Sequence, residues 1–250
     1  MSYIVIIPAR LKSSRLEEKL LQDIYGKPLI QYTYENALQS EASRVLIATD
    51  SEKIQSVCQN FGAETIMTGD YHHSGTSRIS EVVKTLDIAK DEIIVNLQGD
   101  EPMVHPKIIN QVASILENSE AHMSSLFESI QDEKTYNDPN CVKVVCNKDK
   151  MAMYFSRAPI PVFRNDVPEL DKCYKHIGIY AYRAGFVEEL VGLKQSNYEK
   201  YEKLEQLSAL YEGYKIQMDE ACMKPGIGVD TESDLFELIT KLFITVNKVT

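Results

Sequence analysis

The chain has 250 residues, 44% of them hydrophobic, enough for one substantial core and near the upper end of what a single core supports. Its formal charge of −10 excludes a general nucleic-acid or anionic-membrane surface, because both depend on a basic field around the protein. The longest apolar stretches, Ile4 to Ala9 and Ile93 to Leu97, fall far short of the run of about 20 residues that crosses a bilayer, so no membrane span is expected.

Met1-Ser2-Tyr3 enters an apolar strand without a cationic region ahead or a small-residue cleavage site behind, and does not read as a signal peptide. The cysteines, at 58, 141, 146, 173 and 222, are odd in number and contain no C-x-x-C pair, which suggests neither a disulfide framework nor a zinc site. The cytoplasm is the expected compartment.

Tyr3 to Pro8 is a near-continuous β-branched run, the pattern of a strand buried on both faces of a parallel sheet. A basic loop follows, with Arg10, Lys12, Arg15 and Lys19 within ten residues. After Gly26-Lys27, Pro28 suits the first position of a helix running to about Ser40. Arg44 to Thr49 reads as a second strand, and Asp50-Ser51 as N-cap residues of a helix over 51–61. Ala63 to Met67 reads as a third strand, followed by a helix over about 76–87. Glu92 to Leu97 is a fourth strand that closes on Gln98-Gly99-Asp100-Glu101-Pro102, and Pro106 opens a helix to about Asn118.

Strands alternating with helices at this spacing imply βαβ crossovers and a mostly parallel, Rossmann-like sheet, so the fold class is α/β. From about Met123 the texture turns to α+β, with strand-like pieces at 123–130, 142–146 and 176–182 and helices near 198–211 and 231–244. One domain over 1–250 is expected. Cys141 and Cys146 flank a strand at odd separation, which points them to opposite faces.

Ligands of doubly wound sheets sit beyond the carboxyl ends of the strands. There the chain places Pro8-Ala9-Arg10, Ala48-Thr49-Asp50 and the Gln98 segment, so cations and carboxylates converge on one rim. The basic loop can wrap a triphosphate through guanidinium forks and point-charge lysines, or can be a solvated charged loop. It matches neither the P-loop nor the G-x-G-x-x-G fingerprint. Asp100, after a buried strand and a glycine, is placed to share Mg²⁺ with phosphate oxygens, since magnesium is usually held by one or two carboxylates. Gly226-Ile227-Gly228-Val229-Asp230-Thr231 offers a second aspartate, for which a plain N-cap is the simpler reading. Glu101 reads equally as a sheet-edge charge. Tyr71 to Arg78 can set backbone groups and an arginine against a base. Its adjacent histidines, His72 and His73, splay apart and make a poor zinc site. His176 and Tyr180 share one strand face, either as structure or as a binding wall.

In order along nearly the whole chain, the sequence carries Ile7-Pro8-Ala9-Arg10, Ser14-Arg15-Leu16 with Lys19, Gly26-Lys27-Pro28, Ala48-Thr49-Asp50, His73-Ser74-Gly75-Thr76 with Arg78, and Asn96 to Pro102. Val142-Lys143-Val144-Val145, Tyr154-Phe155-Ser156-Arg157, His176-Ile177-Gly178-Ile179-Tyr180, Leu204-Glu205-Gln206-Leu207 and Gly228-Val229-Asp230-Thr231 continue the series. Together these segments resemble the 3-deoxy-manno-octulosonate cytidylyltransferases, a family with the nucleotide-diphospho-sugar transferase fold.

The resemblance implies that the anomeric hydroxyl of 3-deoxy-manno-octulosonate (KDO) attacks the α-phosphate of CTP and releases pyrophosphate, with two Mg²⁺ ions as cofactor, giving CMP-KDO for lipopolysaccharide synthesis. It implies that Asp100 and Asp230 hold metal, and that Arg10, Arg15 and Lys19 grip phosphates and act in catalysis. Pro8, Ala9, Ser74, Gly75, Arg78 and Gln98 would frame the nucleotide, and Arg157, His176, Tyr180, Glu205 and Gln206 would receive the sugar acid. Residues up to about 120 would form the nucleotide-binding half, and 121–250 a sugar-binding half through which a homodimer forms. An 8-amino KDO analogue or a sialic acid is the alternative substrate, and a non-catalytic nucleotide-binding protein the alternative class. Where the family carries Pro-Gly between Arg15 and Lys19, this chain has Glu17-Glu18, two carboxylates near the expected triphosphate.

Overall fold

The computed structural model describes residues 2–13, 15–164, 167 and 169–247. Ser14 of the basic loop therefore lies outside the described residues. In chain order the elements are β1 (Tyr3–Ala9), β2 (Asp23–Ile24), β3 (Lys27–Pro28), α1 (Leu29–Leu38), β4 (Arg44–Thr49), α2 (Glu52–Asn60), β5 (Thr65–Met67), α3 (Gly75–Thr85), β6 (Ile93–Asn96) and α4 (Pro106–Glu117). They continue with β7 (Met123–Ser129), α5 (Glu133–Asn137), β8 (Lys143–Cys146), β9 (Ala152–Ser156), β10 (Tyr174–Arg183), α6 (Ala184–Gly192), α7 (Asn197–Glu202), α8 (Gln206–Tyr211), β11 (Ile216–Glu220) and α9 (Glu232–Asn247).

The chain forms two compact units that interleave in sequence. The first comprises Ser2–Ile88, Asn96–Asn110 and the chain from Pro225 on; the second comprises Ala89–Val95 and Gln111–Lys224. The fold class is α/β, as the strand and helix alternation predicts.

In the first unit β4 pairs in parallel with both β1 and β5, from Ile4 opposite Arg44 to Thr49 opposite Met67. Every residue of β1 is buried, which is why its sequence is β-branched on both faces rather than alternating. The crossover helices show the complementary pattern. In α2 only Ile54 and Cys58, four apart, are buried, and in α3 Ile79, Val82 and Val83 form the covered stripe. Ser51 caps α2 by accepting from Ile54 N at 3.3 Å, which leaves the neighbouring Asp50 carboxylate for other work. Pro28 stands one residue outside α1, at its N-cap, rather than at the first helical position.

The second unit carries the mixed sheet. There β10 pairs antiparallel with β7 and β8, β9 pairs antiparallel with β8, and β11 adds in parallel to β7. The single helix expected near 198–211 is two, α7 and α8, because Lys203 adopts φ 56 and turns the chain at the end of α7. No glycine marks that break. Among the described residues no helix is long and apolar enough to cross a membrane.

Candidate active site

One cleft in the first unit collects the ends of the strands and the loops that follow them. It is lined by Pro8, Ala9 and Arg10 at the end of β1, by Lys12, Arg15 and Lys19, by His72 to Gly75 and Arg78 at the start of α3, by Gln98 to Asp100, and by Asp230. All nine residues expected to touch the nucleotide are on its wall.

The segment after β6 is fixed by its backbone. Leu97 N donates to Ile6 O at 3.2 Å, Thr33 Oγ1 to Gly99 O at 2.9 Å, and Asn36 Nδ2 to Pro102 O at 2.7 Å. Asp230 comes to the same place along another backbone contact, Val229 N donating to Asp100 O at 2.8 Å. The approach requires glycine twice: a Cβ on Gly226 would lie 2.3 Å from Met103 O, and one on Gly228 would lie 2.7 Å from the Glu101 carboxylate.

The residues after Asp230 settle which of them caps α9. Thr231 Oγ1 accepts from Asp234 N at 3.3 Å, while Asp234 Oδ2 receives Asp230 N at 3.0 Å and Thr231 N at 2.8 Å. The helix start is thus served by Thr231 and Asp234, and the Asp230 carboxylate faces elsewhere. Burial raises the Asp234 carboxyl, but those backbone donors outweigh it and hold it below its ordinary value.

Lys19 joins the two aspartates. Its ammonium contacts Asp100 Oδ2 and lies 3.0 Å from Asp230 Oδ1, and it is only 9% exposed. Arg15 Nη2 reaches the same Asp230 oxygen at 3.0 Å. By contrast Arg10 and Lys12 stand exposed at the mouth, without an ion pair among the described residues. Four cations and two carboxylates leave the cleft with positive charge to spare in an acidic chain, which suits a polyanion. One ammonium thus serves both Asp100 and Asp230, so the pair presents a site for positive charge, and two hard carboxylates match the donor preference of magnesium.

Other expected residues are already engaged. Arg78 is 3% exposed, and its guanidinium binds Thr68 Oγ1 and, at 3.0 Å, Asp50 Oδ2, so this piece of the cleft wall is held by Asp50, the carboxylate that Ser51 released from capping. Gln98 Nε2 donates to Asn96 Oδ1 at 2.8 Å. His72 contacts the Glu81 carboxylate and, at 3.1 Å, Ser77 Oγ, which fastens the loop carrying Ser74 and Gly75. Glu17 points to solvent, and Glu18 is drawn away to Lys53 on α2, at 2.7 Å. Glu18 holds φ 44, a conformation natural to glycine.

The five residues expected to take the sugar lie in the second unit. His176 on β10 is 2.9 Å from Ser125 Oγ, with its ring against those of Phe155 and Tyr180. Burial drives its imidazole down to about 3 and raises the Tyr180 phenol well above its usual value, the latter reinforced by the charges of Tyr182 and Glu205. Gln206 is buried at the start of α8, directly after Glu205. Arg157 is anchored by backbone: its Nε donates to Glu202 O at 2.6 Å and its Nη1 to Pro139 O at 3.0 Å.

Residues 4–216 match the model of the cytidylyltransferase family. The chain is 55% identical over 236 residues to the 3-deoxy-manno-octulosonate cytidylyltransferase of Ruthia magnifica subsp. Calyptogena magnifica, covering 94% of this chain and 97% of that protein. It is 54% identical over 243 residues to the enzyme of the same name from Vesicomyosocius okutanii subsp. Calyptogena okutanii (strain HA), covering 97% and 100%. The solved structure of a CMP:2-keto-3-deoxy-manno-octonic acid synthetase complexed with CTP superimposes with a TM-score of 0.90 at 39% identity, over 98% of this chain and 99% of that one.

Proposed function

The chain belongs to the 3-deoxy-manno-octulosonate cytidylyltransferases, and from that premise we infer how its residues divide the reaction. The enzyme transfers CMP from CTP to KDO and releases pyrophosphate. The cleft of the first unit binds CTP: Arg10, Arg15 and Lys19 take the phosphates, while Pro8, Ala9, Ser74, Gly75 and Gln98 frame the nucleoside and Arg78 braces that wall from Asp50. Arg157, His176, Tyr180, Glu205 and Gln206 receive the sugar acid.

Asp100 and Asp230 hold Mg²⁺. When bound, the metal screens phosphate charge and polarises the α-phosphoryl group toward attack. The observation that carries this reading is the Lys19 ammonium set between the two aspartates. It marks a site built for positive charge, which the two aspartates would offer to the metal, with Lys19 beside it as a donor for phosphate. Phosphoryl transfer of this kind needs positioning and charge neutralisation rather than a protein nucleophile. Lys19, Arg15 and Arg10 neutralise the charge that develops on the departing pyrophosphate. A homodimer, a cytoplasmic location and use of the product in lipopolysaccharide synthesis complete the proposal, supported by family membership.

The test is pyrophosphate release with CTP and Mg²⁺ against a panel of KDO, its 8-amino analogue and a sialic acid. Release is expected with KDO at the highest kcat/KM. Release with another acid and none with KDO would overturn the substrate assignment, and release undiminished by a chelator would overturn the metal role.

A further inference from the structure

Lys143 opens β8 with its side chain fully buried. Its ammonium has three hydrogens, and these meet three backbone carbonyls: Asp138 O at 2.8 Å, Cys141 O at 2.5 Å and Arg157 O at 2.8 Å. None of its hydrogen bonds among the described residues goes to a carboxylate. Burial pushes its pKa below the ordinary lysine value. A buried ammonium held by neutral oxygens is an expensive way to fill space, and an apolar side chain of similar size does so at lower cost.

What the three carbonyls share is Arg157. One belongs to Arg157 itself, and the other two bracket the 138–141 turn, closed by Cys141 N donating to Asp138 O at 3.1 Å. That turn carries Pro139, whose carbonyl accepts from Arg157 Nη1 at 3.0 Å. Lys143 therefore fixes both the backbone from which Arg157 projects and the acceptor that aims its guanidinium. Glu202 completes the frame, its carboxylate accepting from Arg157 N at 2.8 Å and from Ser156 Oγ at 2.7 Å, while its carbonyl takes Nε. Carbonyls take Nε and Nη1, and Nη2, the nitrogen common to both two-pronged edges of the guanidinium, makes no hydrogen bond among the described residues. The guanidinium is thus held through two of its nitrogens while the third stays available to donate, which pre-orients the arginine for an acidic ligand.

We propose that Lys143 is a positioning residue for recognition of the acidic sugar, holding the Arg157 guanidinium in its binding orientation through the 138–141 turn and the Arg157 carbonyl. The proposal rests on the reading that Arg157 binds the sugar acid. The test is steady-state kinetics with CTP and KDO varied separately for Lys143→Met, Arg157→Ala and the double variant. Lys143→Met raises KM for KDO about tenfold, as displacement of a binding group by a fraction of its length does, and leaves KM for CTP within about twofold. Because it acts through Arg157, the double variant is no worse than Arg157→Ala alone. Should Lys143→Met lose its fold, Glu202→Gln keeps the shape of the frame but not its charge and decides the matter: a KDO-selective rise that vanishes in the Arg157→Ala background supports the proposal. Effects of Lys143 and Arg157 that multiply, or equal rises in both KM values, would overturn it. An Arg157→Ala variant with unchanged KM for KDO would instead overturn the sugar-site reading itself, and the proposal with it.

Discussion

The two groups of site residues are held by opposite physics. In the first unit Lys19, Arg15, Asp100 and Asp230 meet as charges in a cleft, with Lys19 buried but Arg15 and Asp230 half exposed and joined to each other by an ion pair. In the second unit Arg157 is tied to carbonyls, and His176 and Tyr180 sit among aromatic rings. Ion pairs near the surface are weak and exchange partners readily, whereas a buried hydrogen-bond frame is costly to disturb. On the proposed roles, the exposed Arg15–Asp230 pair is the part that a nucleotide would rearrange, and the sugar side is built in advance.

Lys19→Met breaks the comparison where the effect is largest. Loss of the ammonium removes phosphate stabilisation, and kcat falls by roughly 10²–10³-fold, the scale of removing one preorganised donor to developing charge. It also leaves Asp100 and Asp230 facing each other, so the thermal midpoint drops without metal and recovers on adding Mg²⁺. A midpoint indifferent to Mg²⁺ would show that the aspartates do not form a cation site.

On the second unit the corresponding probe is pH. His176 is neutral when folded, with a pKa near 3, against about 6.5 when unfolded. The unfolded chain thus binds the extra proton, and this group's contribution to stability is complete above pH 6.5 and lost as pH falls toward 3. His176→Gln flattens the decline in unfolding free energy between pH 7 and 5 by on the order of 1–2 kcal/mol. Parallel profiles for variant and wild type would contradict the buried, neutral imidazole.

The smallest effect concerns the loop between the cations. Glu18 stands at φ 44 with only an exposed ion pair to Lys53 in return. Glu18→Gly is expected to be more stable than Glu18→Ala by about 1 kcal/mol in denaturant unfolding, since alanine carries the left-handed strain that glycine escapes. Equal stabilities would place the strain elsewhere.

Much of the cleft's lining was legible in the sequence because it is written in local patterns. The β-branched run of β1, the apolar strand ending in Gln98-Gly99-Asp100, and the glycines before Asp230 each announce a strand end or a close approach. The pairing of Lys19 with Asp230, 211 residues apart, leaves no periodic trace, although the shared location at strand ends implied it. Composition could not separate Asp230 from an N-cap either; only the Thr231 and Asp234 hydrogen bonds do so. On the second unit Lys143 reads as one polar residue in an apolar strand, and its three carbonyl partners are set by a turn and by a neighbouring strand end. The interleaving of the units and the break at Lys203 were likewise invisible, the latter because a lysine in the left-handed region carries no compositional mark.

The account turns on the claim that Asp100 and Asp230 serve a metal rather than the fold. The direct measurement is kcat for Asp100→Asn as Mg²⁺ is titrated, alongside its thermal midpoint. We expect a fall in kcat of at least about 10²-fold that excess Mg²⁺ does not restore, with the midpoint nearly unchanged. Turnover close to wild type at every Mg²⁺ concentration would contradict the account.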